Sequence, residues 1–280
     1  LVGIAVLGMC FHHLVFDGMS FSIFRSELEQ AYGGKALEPE KEDGFTFAAK
    51  EEEQRRGETY ADAKTWYEME FGAASEVDSL PLPDVYGQPD GEPEVAKAGF
   101  PLSVPADEIL RFSRSRSVGI SIPFTAAFGY VLANFTGDSE ALFATIHHGR
   151  TDESLMHSFG MFVKTFPVYV DSGKTPSVGG LLSSISEQMK GSRAHAVYSF
   201  GDCCRDLGLN IRICFAFQGK LYDYDIELGG KRQKSEDIRS CRPGYSILVN
   251  VFQNRDGHFT YDAITFDDEE DLGYFGSANQ

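Results

Sequence analysis

The sequence predicts a mixed α/β protein with two lobes, each built on a sheet. Strand-like apolar segments alternate with helical periodicity along most of the chain. The chain has 280 residues, of which 42% are hydrophobic. Chains of about this length commonly fold as two domains instead of one. Residues 79–93 carry four prolines and two glycines, which interrupt regular structure. We therefore expect a first lobe at 1–76, a linker at 77–98 and a second lobe at 99–280.

The first lobe is expected to contain one buried strand and two helical regions. Leu1–Cys10 is apolar apart from glycine, as in a strand buried on both faces. A helix is predicted to begin with Ser20 as its N-cap and to end before Gly33, and Phe45–Phe71 forms the second helical region. Residues Phe11–Gly18 then form the turn at the carboxyl end of the strand.

The second lobe is expected to alternate strands and helices. The predicted strands are Phe100–Val104, Ala141–His147, Met161–Val170, Arg212–Gln218, Ser246–Gln253 and Phe259–Ala263, and the helices are Pro105–Arg116, Pro123–Phe135 and Pro176–Ala196. The sequence Asn-Arg-Asp-Gly at 254–257 indicates a hairpin between the last two strands.

Composition excludes several classes of function. A formal net charge of −17 repels nucleic acid and anionic membranes. The longest apolar run, Leu1–Phe11, is too short to span a bilayer and lacks a basic flank, so a soluble cytoplasmic protein is expected. Five cysteines without a C-x-x-C spacing favour reduced thiols. Because the first residue lies inside an apolar run, we interpret the chain as a piece of a longer protein.

The motif His12-His13-x-x-x-Asp17-Gly18 combines two imidazoles, a carboxylate and a glycine on one turn. An isolated histidine pair is more typical of a hydrogen-bonded structural turn, but the full spacing favours a functional interpretation. His13 suits a general base near neutral pH. Asp17 could stabilise the turn by pairing with an arginine, and Gly18 leaves an N–H accessible to a developing oxyanion.

This motif resembles the signature of the condensation-domain and chloramphenicol-acetyltransferase-like superfamily. Further resemblances follow in family order at Phe45–Gln54, Leu80–Asp84, Ile122–Gly137, Gly149–Arg150, Ser158–Thr165 and His195–Phe200. Together they identify the chain as similar to condensation domains of non-ribosomal peptide synthetases, with a two-lobed chloramphenicol-acetyltransferase-like fold. Family members have further elements before the motif, so the resemblance implies an N-terminally truncated chain whose first lobe is incomplete.

The resemblance implies an acyltransferase that forms an amide bond between two carrier-bound substrates. It implies no directly bound cofactor, since the acyl groups travel on the phosphopantetheine arms of carrier proteins. Upstream and downstream carrier proteins and an adenylation domain are the implied partners. Because part of the first lobe is expected to be missing, the isolated fragment is expected to be inactive.

The resemblance also assigns roles to residues. His13 deprotonates or orients the attacking amine and Gly18 belongs to the catalytic turn, whereas His12 and Asp17 are structural. Arg150 is the candidate partner of Asp17. The substrate tunnel and lobe interface are expected to include Phe162, Val163 and Thr165.

Two departures from the family pattern keep alternatives open. Lys164 replaces the usual asparagine beside Thr165, and no arginine-rich motif occurs at Ile211–Gly219. An O-acyltransferase that forms an ester and a non-catalytic carrier-docking domain are the alternatives. His147, His148 and His157 lack the carboxylate or cysteine spacing of a metal site, so no metal is predicted.

Overall fold

The computed structural model describes residues 7–79, 96–136, 139–175, 177–220, 225–233, 244–254 and 256–265. The helices are α1 Gly18–Tyr32, α2 Gly44–Gln54, α3 Glu58–Phe71, α4 Ala106–Ser115, α5 Ser121–Thr136, α6 Val178–Ala194 and α7 Phe200–Leu207. The strands are β1 Ala96–Pro101, β2 Glu140–His147, β3 Lys164–Asp171, β4 Ile213–Gly219, β5 Ile226–Leu228, β6 Lys231–Gln233, β7 Ile247–Gln253 and β8 Phe259–Thr265. Short 3₁₀ turns occupy Gly72–Glu76 and Glu153–His157.

Six strands form one mixed sheet in the order β1-β8-β7-β4-β2-β3. The central pairs β2/β4 and β4/β7 are parallel, and the outer pairs are antiparallel. The predicted β7–β8 hairpin is confirmed, with Gln253 opposite Phe259. Strands β5 and β6 form a separate antiparallel pair, joined through Gly229 and Gly230, whose positive φ angles glycine tolerates best.

The sheet separates two clusters of buried apolar side chains. Phe143 of β2 belongs to the cluster with α5 and α6, whereas its neighbour Leu142 belongs to the cluster with α3 and α7. Because successive strand residues point to opposite faces, these helix pairs cover opposite faces of the sheet. The confirmed class is therefore mixed α/β, with helices on both sides of the sheet.

Backbone contacts divide the chain into two compact units that are discontinuous in sequence. Unit 1 comprises Leu1–Glu51, His148–Val163 and Asp223–Asp237, and unit 2 comprises the remainder. The His-His-Asp-Gly motif lies in unit 1, and the six-stranded sheet lies in unit 2. The predicted linker at 77–98 stays a prediction, because residues 80–95 lie outside the described part of the chain.

The strand predicted at the start of the first lobe is wrong. Residues 7–10 of the predicted Leu1–Cys10 strand are exposed and form no strand, and 1–6 lie outside the described residues. A strand needs a hydrogen-bonded neighbour, and none among the described strands pairs with residues 7–10. The helical region predicted at Phe45–Phe71 is confirmed, and it consists of two helices, α2 and α3, separated at Arg55–Gly57.

The N-cap of α1 is Asp17, although the sequence pattern favours Ser20. The Asp17 carboxylate accepts the Ser20 N–H at 2.8 Å, which satisfies a donor of the first helical turn. The second-lobe expectations hold within a few residues. The largest differences are at β1, which spans Ala96–Pro101 and not Phe100–Val104, and at β3, which begins at Lys164 and not at Met161. Helix α7 and the β5–β6 pair have no counterpart among the predicted elements.

Candidate active site

The two motif histidines lie in a tight exposed turn immediately before α1. The Val15 N–H donates to the His12 carbonyl at 3.1 Å, and the Leu14 N–H donates to Nδ1 of the His12 ring at 3.2 Å. The His13 ring turns the other way, with its Nδ1 2.9 Å from the carbonyl oxygen of Phe16. Both imidazoles are exposed to solvent.

These hydrogen bonds assign opposite tautomers to the neutral rings. A carbonyl oxygen can only accept, so His13 carries its proton on Nδ1 and presents an unprotonated Nε2. A backbone N–H can only donate, so His12 accepts on Nδ1 and carries its proton on Nε2. Of the two rings, His13 is therefore the one whose outer nitrogen can accept a proton.

Asp17 connects two segments of unit 1, Leu1–Glu51 and His148–Val163. Besides capping α1, its carboxylate accepts the Phe162 N–H at 3.1 Å. Arg150 binds the same carboxylate with both terminal nitrogens, Nη1 to Oδ2 at 2.7 Å and Nη2 to Oδ1 at 3.0 Å. Both side chains are fully buried. The pairing anticipated from the sequence is therefore present in the structure, in the bidentate geometry that favours arginine over lysine.

The rest of the Arg150 guanidinium also has partners. Nε donates to the Leu155 carbonyl at 3.1 Å, and Nη2 donates to the Ser158 carbonyl at 3.1 Å. The guanidinium carbon lies 4.4 Å from the centre of the Phe162 ring, a cation–π contact. Gly149, with φ +68°, provides the left-handed backbone turn immediately before Arg150.

The surroundings of Asp17 favour its charged form. Burial acts to raise its pKa, but the hydrogen bonds and charge of Arg150 and the N–H groups of Ser20 and Phe162 outweigh burial. The pKa of Asp17 is therefore held below its usual range. The carboxylate remains charged at neutral pH, as a buried ion pair requires.

Residues 158–163 pack closely against the start of α2. A Cβ on Gly44 would lie 2.8 Å from the carbonyl oxygen of Phe159, and a Cβ on Gly160 would lie 2.6 Å from the Phe162 ring. Both positions thus require glycine. The Phe162 ring, 1% exposed, also packs 5.1 Å from the ring of Phe47.

The remaining predicted site residues occupy separate places. Gly18 is the first residue of α1, where a backbone N–H has no acceptor within its helix. Val163 ends a segment of unit 1, whereas Thr165 belongs to β3 in unit 2 and lies opposite Ile146 of β2. The tunnel role of these residues stays a prediction.

Two further residues singled out by the sequence lie in unit 2. Lys164 pairs with His147 in the register of β3 and β2. His195 follows α6, where its Nδ1 lies 2.8 Å from the Gly191 carbonyl and its ring stacks on Trp66 at 4.8 Å. This arrangement gives His195 a structural role at a helix end.

The described residues contain no group of three or more His, Cys, Asp or Glu side chains placed to hold a metal ion. His147 ends β2, and His148 accepts the Arg150 N–H on Nδ1 at 3.1 Å. His157 lies exposed in the second 3₁₀ turn.

Sequence reasoning missed the structural importance of Ser20. Its hydroxyl is fully buried and bonds both backbone groups of Gly160, at 3.0 Å and 3.1 Å. In the sequence, the one feature that marks Ser20 is its position three residues after Asp17. That spacing is equally typical of a residue in a capped helical turn, so it does not reveal the buried hydrogen bonds. Its tertiary partner lies 140 residues away, which no local pattern reveals.

Comparisons with known proteins agree on one family. The family model described as "Condensation domain" matches residues 5–272. Equisetin synthetase eqxS of Fusarium heterosporum is 24% identical over 263 residues, which cover 87% of this chain and 6% of that protein. Tyrocidine synthase 3 of Brevibacillus parabrevis is 22% identical over 250 residues, covering 88% of this chain and 4% of that protein. The chain thus spans a small part of these relatives.

Solved structures share the fold. The condensation domain from Monacolin K polyketide synthase MokA superposes with a TM-score of 0.72 at 18% identity, covering 96% of this chain and 66% of that one. This likeness confirms the predicted chloramphenicol-acetyltransferase-like architecture. Within the described residues, no helix combines the length and apolarity needed to cross a membrane.

Proposed function

The chain belongs to the condensation-domain family, and from this premise we propose that it forms an amide bond between two carrier-bound substrates. The donor is an acyl or peptidyl thioester, and the acceptor is the amine of an aminoacyl thioester. Both travel on phosphopantetheine arms, and the chain binds no further cofactor. The family match over residues 5–272 supports this class of reaction.

The observation that carries the proposal is the orientation of His13. Its Nδ1 proton is engaged by the Phe16 carbonyl, so the exposed Nε2 holds the lone pair. A general base requires this arrangement: one nitrogen fixed by a neighbour and the other directed towards the proton that it removes.

The reaction then proceeds through a tetrahedral intermediate. The acceptor amine attacks the thioester carbonyl carbon while His13 Nε2 accepts a proton from the amine, and the carbonyl oxygen becomes an oxyanion. The N–H of Gly18, at the positive end of α1, stabilises that oxyanion. Collapse breaks the C–S bond, and the departing thiolate takes the proton from His13, which leaves an amide, a thiol and a neutral imidazole.

The proposed partners follow from the reaction. One carrier protein delivers the donor and a second delivers the acceptor, and an adenylation domain activates the acceptor amino acid. The relatives are far longer than the segments that match this chain, 6% and 4% of their lengths, which supports a module within a larger synthetase. The proposed site of that synthetase is the cytoplasm. His12 and the Asp17–Arg150 pair support the turn and take no part in proton transfer.

His13→Ala in the protein that carries this chain tests the proposal. We expect amide formation to fall by about 10²–10⁴-fold, because general-base catalysis is lost, while loading of both carriers is unchanged. The assay measures the dipeptidyl product on the acceptor carrier by mass spectrometry.

His157→Ala is the matched control, since His157 is an exposed histidine of the same unit outside the motif. It should condense at the wild-type rate. Undiminished product from His13→Ala would refute the proposed role of His13.

Ester formation with a hydroxyl acceptor, and no amide with an amine acceptor, would instead assign the chain to the O-acyltransferases. A wild-type protein that binds loaded carriers without forming either product would be a docking domain.

A further inference from the structure

We propose that Ser20 is a positioning residue for His13, an inference that rests on the proposed function of this site. Ser20 lies on the first turn of α1, seven residues after His13, and the two side chains share no hydrogen bond. Ser20 acts through an ordered series of contacts that begins at its hydroxyl and ends at the His13 ring.

The Ser20 hydroxyl uses its full hydrogen-bonding capacity. It donates to the Gly160 carbonyl at 3.0 Å and accepts the Gly160 N–H at 3.1 Å. It also accepts from Nη2 of Arg150 at 3.1 Å. One donor and two acceptor positions are all that a hydroxyl offers, and Ser20 is 0% exposed. Water therefore has no access to replace any of these bonds.

Through Gly160 the hydroxyl fixes the position of Phe159. The N–H that Ser20 accepts belongs to the peptide that joins Phe159 to Gly160, and the Phe159 N–H donates to Glu40 at 3.1 Å. Hydrogen bonds thus fix the backbone on both sides of Phe159. Its ring stacks on the Phe16 ring, with centroids 6.1 Å apart and planes 17° apart.

Phe16 completes the series, because its carbonyl oxygen holds Nδ1 of His13. Removal of the Ser20 hydroxyl leaves the buried N–H and C=O of Gly160 without this partner, so the segment must shift to satisfy them. The Phe16 ring keeps its contacts with Phe11, at 4.0 Å between centroids, and with Phe24, but loses Phe159, its neighbour from residues 158–163. Its carbonyl can then shift away from the His13 ring, which loses the contact that selects its tautomer. The Asp17–Arg150 pair remains, which preserves the turn's attachment to unit 1.

The test compares Ser20→Ala with Ser26→Ala. Ser26 lies on the same helix but is exposed, so both variants remove a serine hydroxyl from α1 and only Ser20→Ala loses buried hydrogen bonds. In the protein that carries this chain, Ser20→Ala is expected to lower kcat about 10–100-fold, with KM for the donor within about twofold, as a catalytic group displaced by up to ~1 Å predicts. Ser26→Ala is expected to match the wild type.

A second readout is independent of activity. In the 280-residue chain labelled with ¹⁵N-histidine, nuclear magnetic resonance should show His13 as the Nδ1–H tautomer, and Ser20→Ala should add the Nε2–H tautomer. Phe159→Leu, which removes the ring stacked on Phe16 and leaves Arg150 untouched, should have the same effect. Phe159→Leu therefore still tests the positioning role if Ser20→Ala does not fold.

The outcomes separate the two proposals. An unchanged kcat in folded Ser20→Ala, or a lowered kcat with an unchanged His13 tautomer in both variants, would overturn the positioning role. A changed tautomer in a chain whose wild type forms no amide would support the positioning of His13 and overturn the proposed function. A lowered kcat together with a changed tautomer supports both.

Discussion

Asp17 shows how much of unit 1 depends on one side chain. Its carboxylate accepts from the first turn of α1, from Arg150 and from the Phe162 N–H. Each donor belongs to a different part of the sequence, and all are buried with their acceptor. The same groups that hold its pKa low also align the histidine turn with residues 158–163.

We predict that Asp17→Ala lowers the free energy of unfolding by about 3–5 kcal/mol, because it leaves the Arg150 guanidinium charged, buried and without its carboxylate. Urea unfolding measures the change. Asp62→Ala, at an exposed position on α3, is the control and should change stability by less than about 0.5 kcal/mol. In a double-mutant cycle with Arg150→Met, the double variant should lose less stability than the sum of the single losses.

Acid provides a check on the same prediction. Folding lowers the pKa of Asp17, so the unfolded chain binds more protons at this site than the folded chain does. The ionised Asp17 therefore contributes its full share to the free energy of unfolding at pH values above the unfolded pKa of about 3.9. The contribution is lost as pH falls from there through the folded pKa. The stability difference between wild type and Asp17→Ala should therefore narrow below about pH 4. The prediction fails on two results together: the losses of Asp17→Ala and Arg150→Met are strictly additive in the double variant, and the stability difference between wild type and Asp17→Ala stays constant below about pH 4. They would show that the Asp17–Arg150 pair does not stabilise the fold.

Among the elements, α3 and α6 meet at a glycine. A Cβ on Gly191 would lie 2.1 Å from Cζ2 of Trp66, so the indole ring fits only against a bare backbone. The same ring stacks on His195, whose Nδ1 in turn bonds the Gly191 carbonyl. This local contact, at the C-terminal end of α6, is thus built around Trp66, the only tryptophan of the chain.

We predict that Gly191→Ala destabilises unit 2 by about 1–3 kcal/mol, because the added methyl group must displace the indole. Trp66 fluorescence during thermal unfolding measures the change directly. Gly201→Ala in α7 is the control, since a Cβ there meets nothing within 4 Å and should stabilise slightly through helix propensity. A melting temperature for Gly191→Ala equal to that of Gly201→Ala would mean that Trp66 repacks at no cost.

Taken as a whole, the chain places its apolar core and its buried ion pair in different units. Both buried apolar clusters belong to unit 2, around the six-stranded sheet. The buried side chains of unit 1 include the Asp17–Arg150 pair, Ser20 and Ser158, and few large apolar groups accompany them. Burial of apolar area is the larger source of stability, so unit 2 should be the more stable unit.

We predict that amide hydrogen exchange is slowest in β4 and β7, the central strands of unit 2, and faster throughout unit 1. In Asp17→Ala, exchange should accelerate in α1 and residues 158–163 while β4 and β7 keep their wild-type rates. Mass spectrometry of peptic fragments measures both regions in one sample. Uniform acceleration across the chain would show instead that the two units unfold together.

Local sequence patterns by themselves determined much of this protein. Helical and strand periodicity located most elements of unit 2, because each depends on neighbours a few residues apart. The motif at 12–18 identified the histidine turn for the same reason, and the family resemblance supplied Arg150 as the partner of Asp17. The strand predicted from the apolar run at 7–10 is wrong, because hydrophobicity alone does not provide the neighbouring strand that a sheet requires.

Only the tertiary structure decided which distant groups meet. The strand order β1-β8-β7-β4-β2-β3, the bonds of Ser20 to Gly160 across 140 residues and the contact of Trp66 with Gly191 have no local signal. The tautomer of His13 also depended on the folded turn, because the acceptor is a backbone carbonyl that every residue possesses. Short-range patterns reveal which groups are present, whereas long-range packing and buried hydrogen bonds determine what each group does.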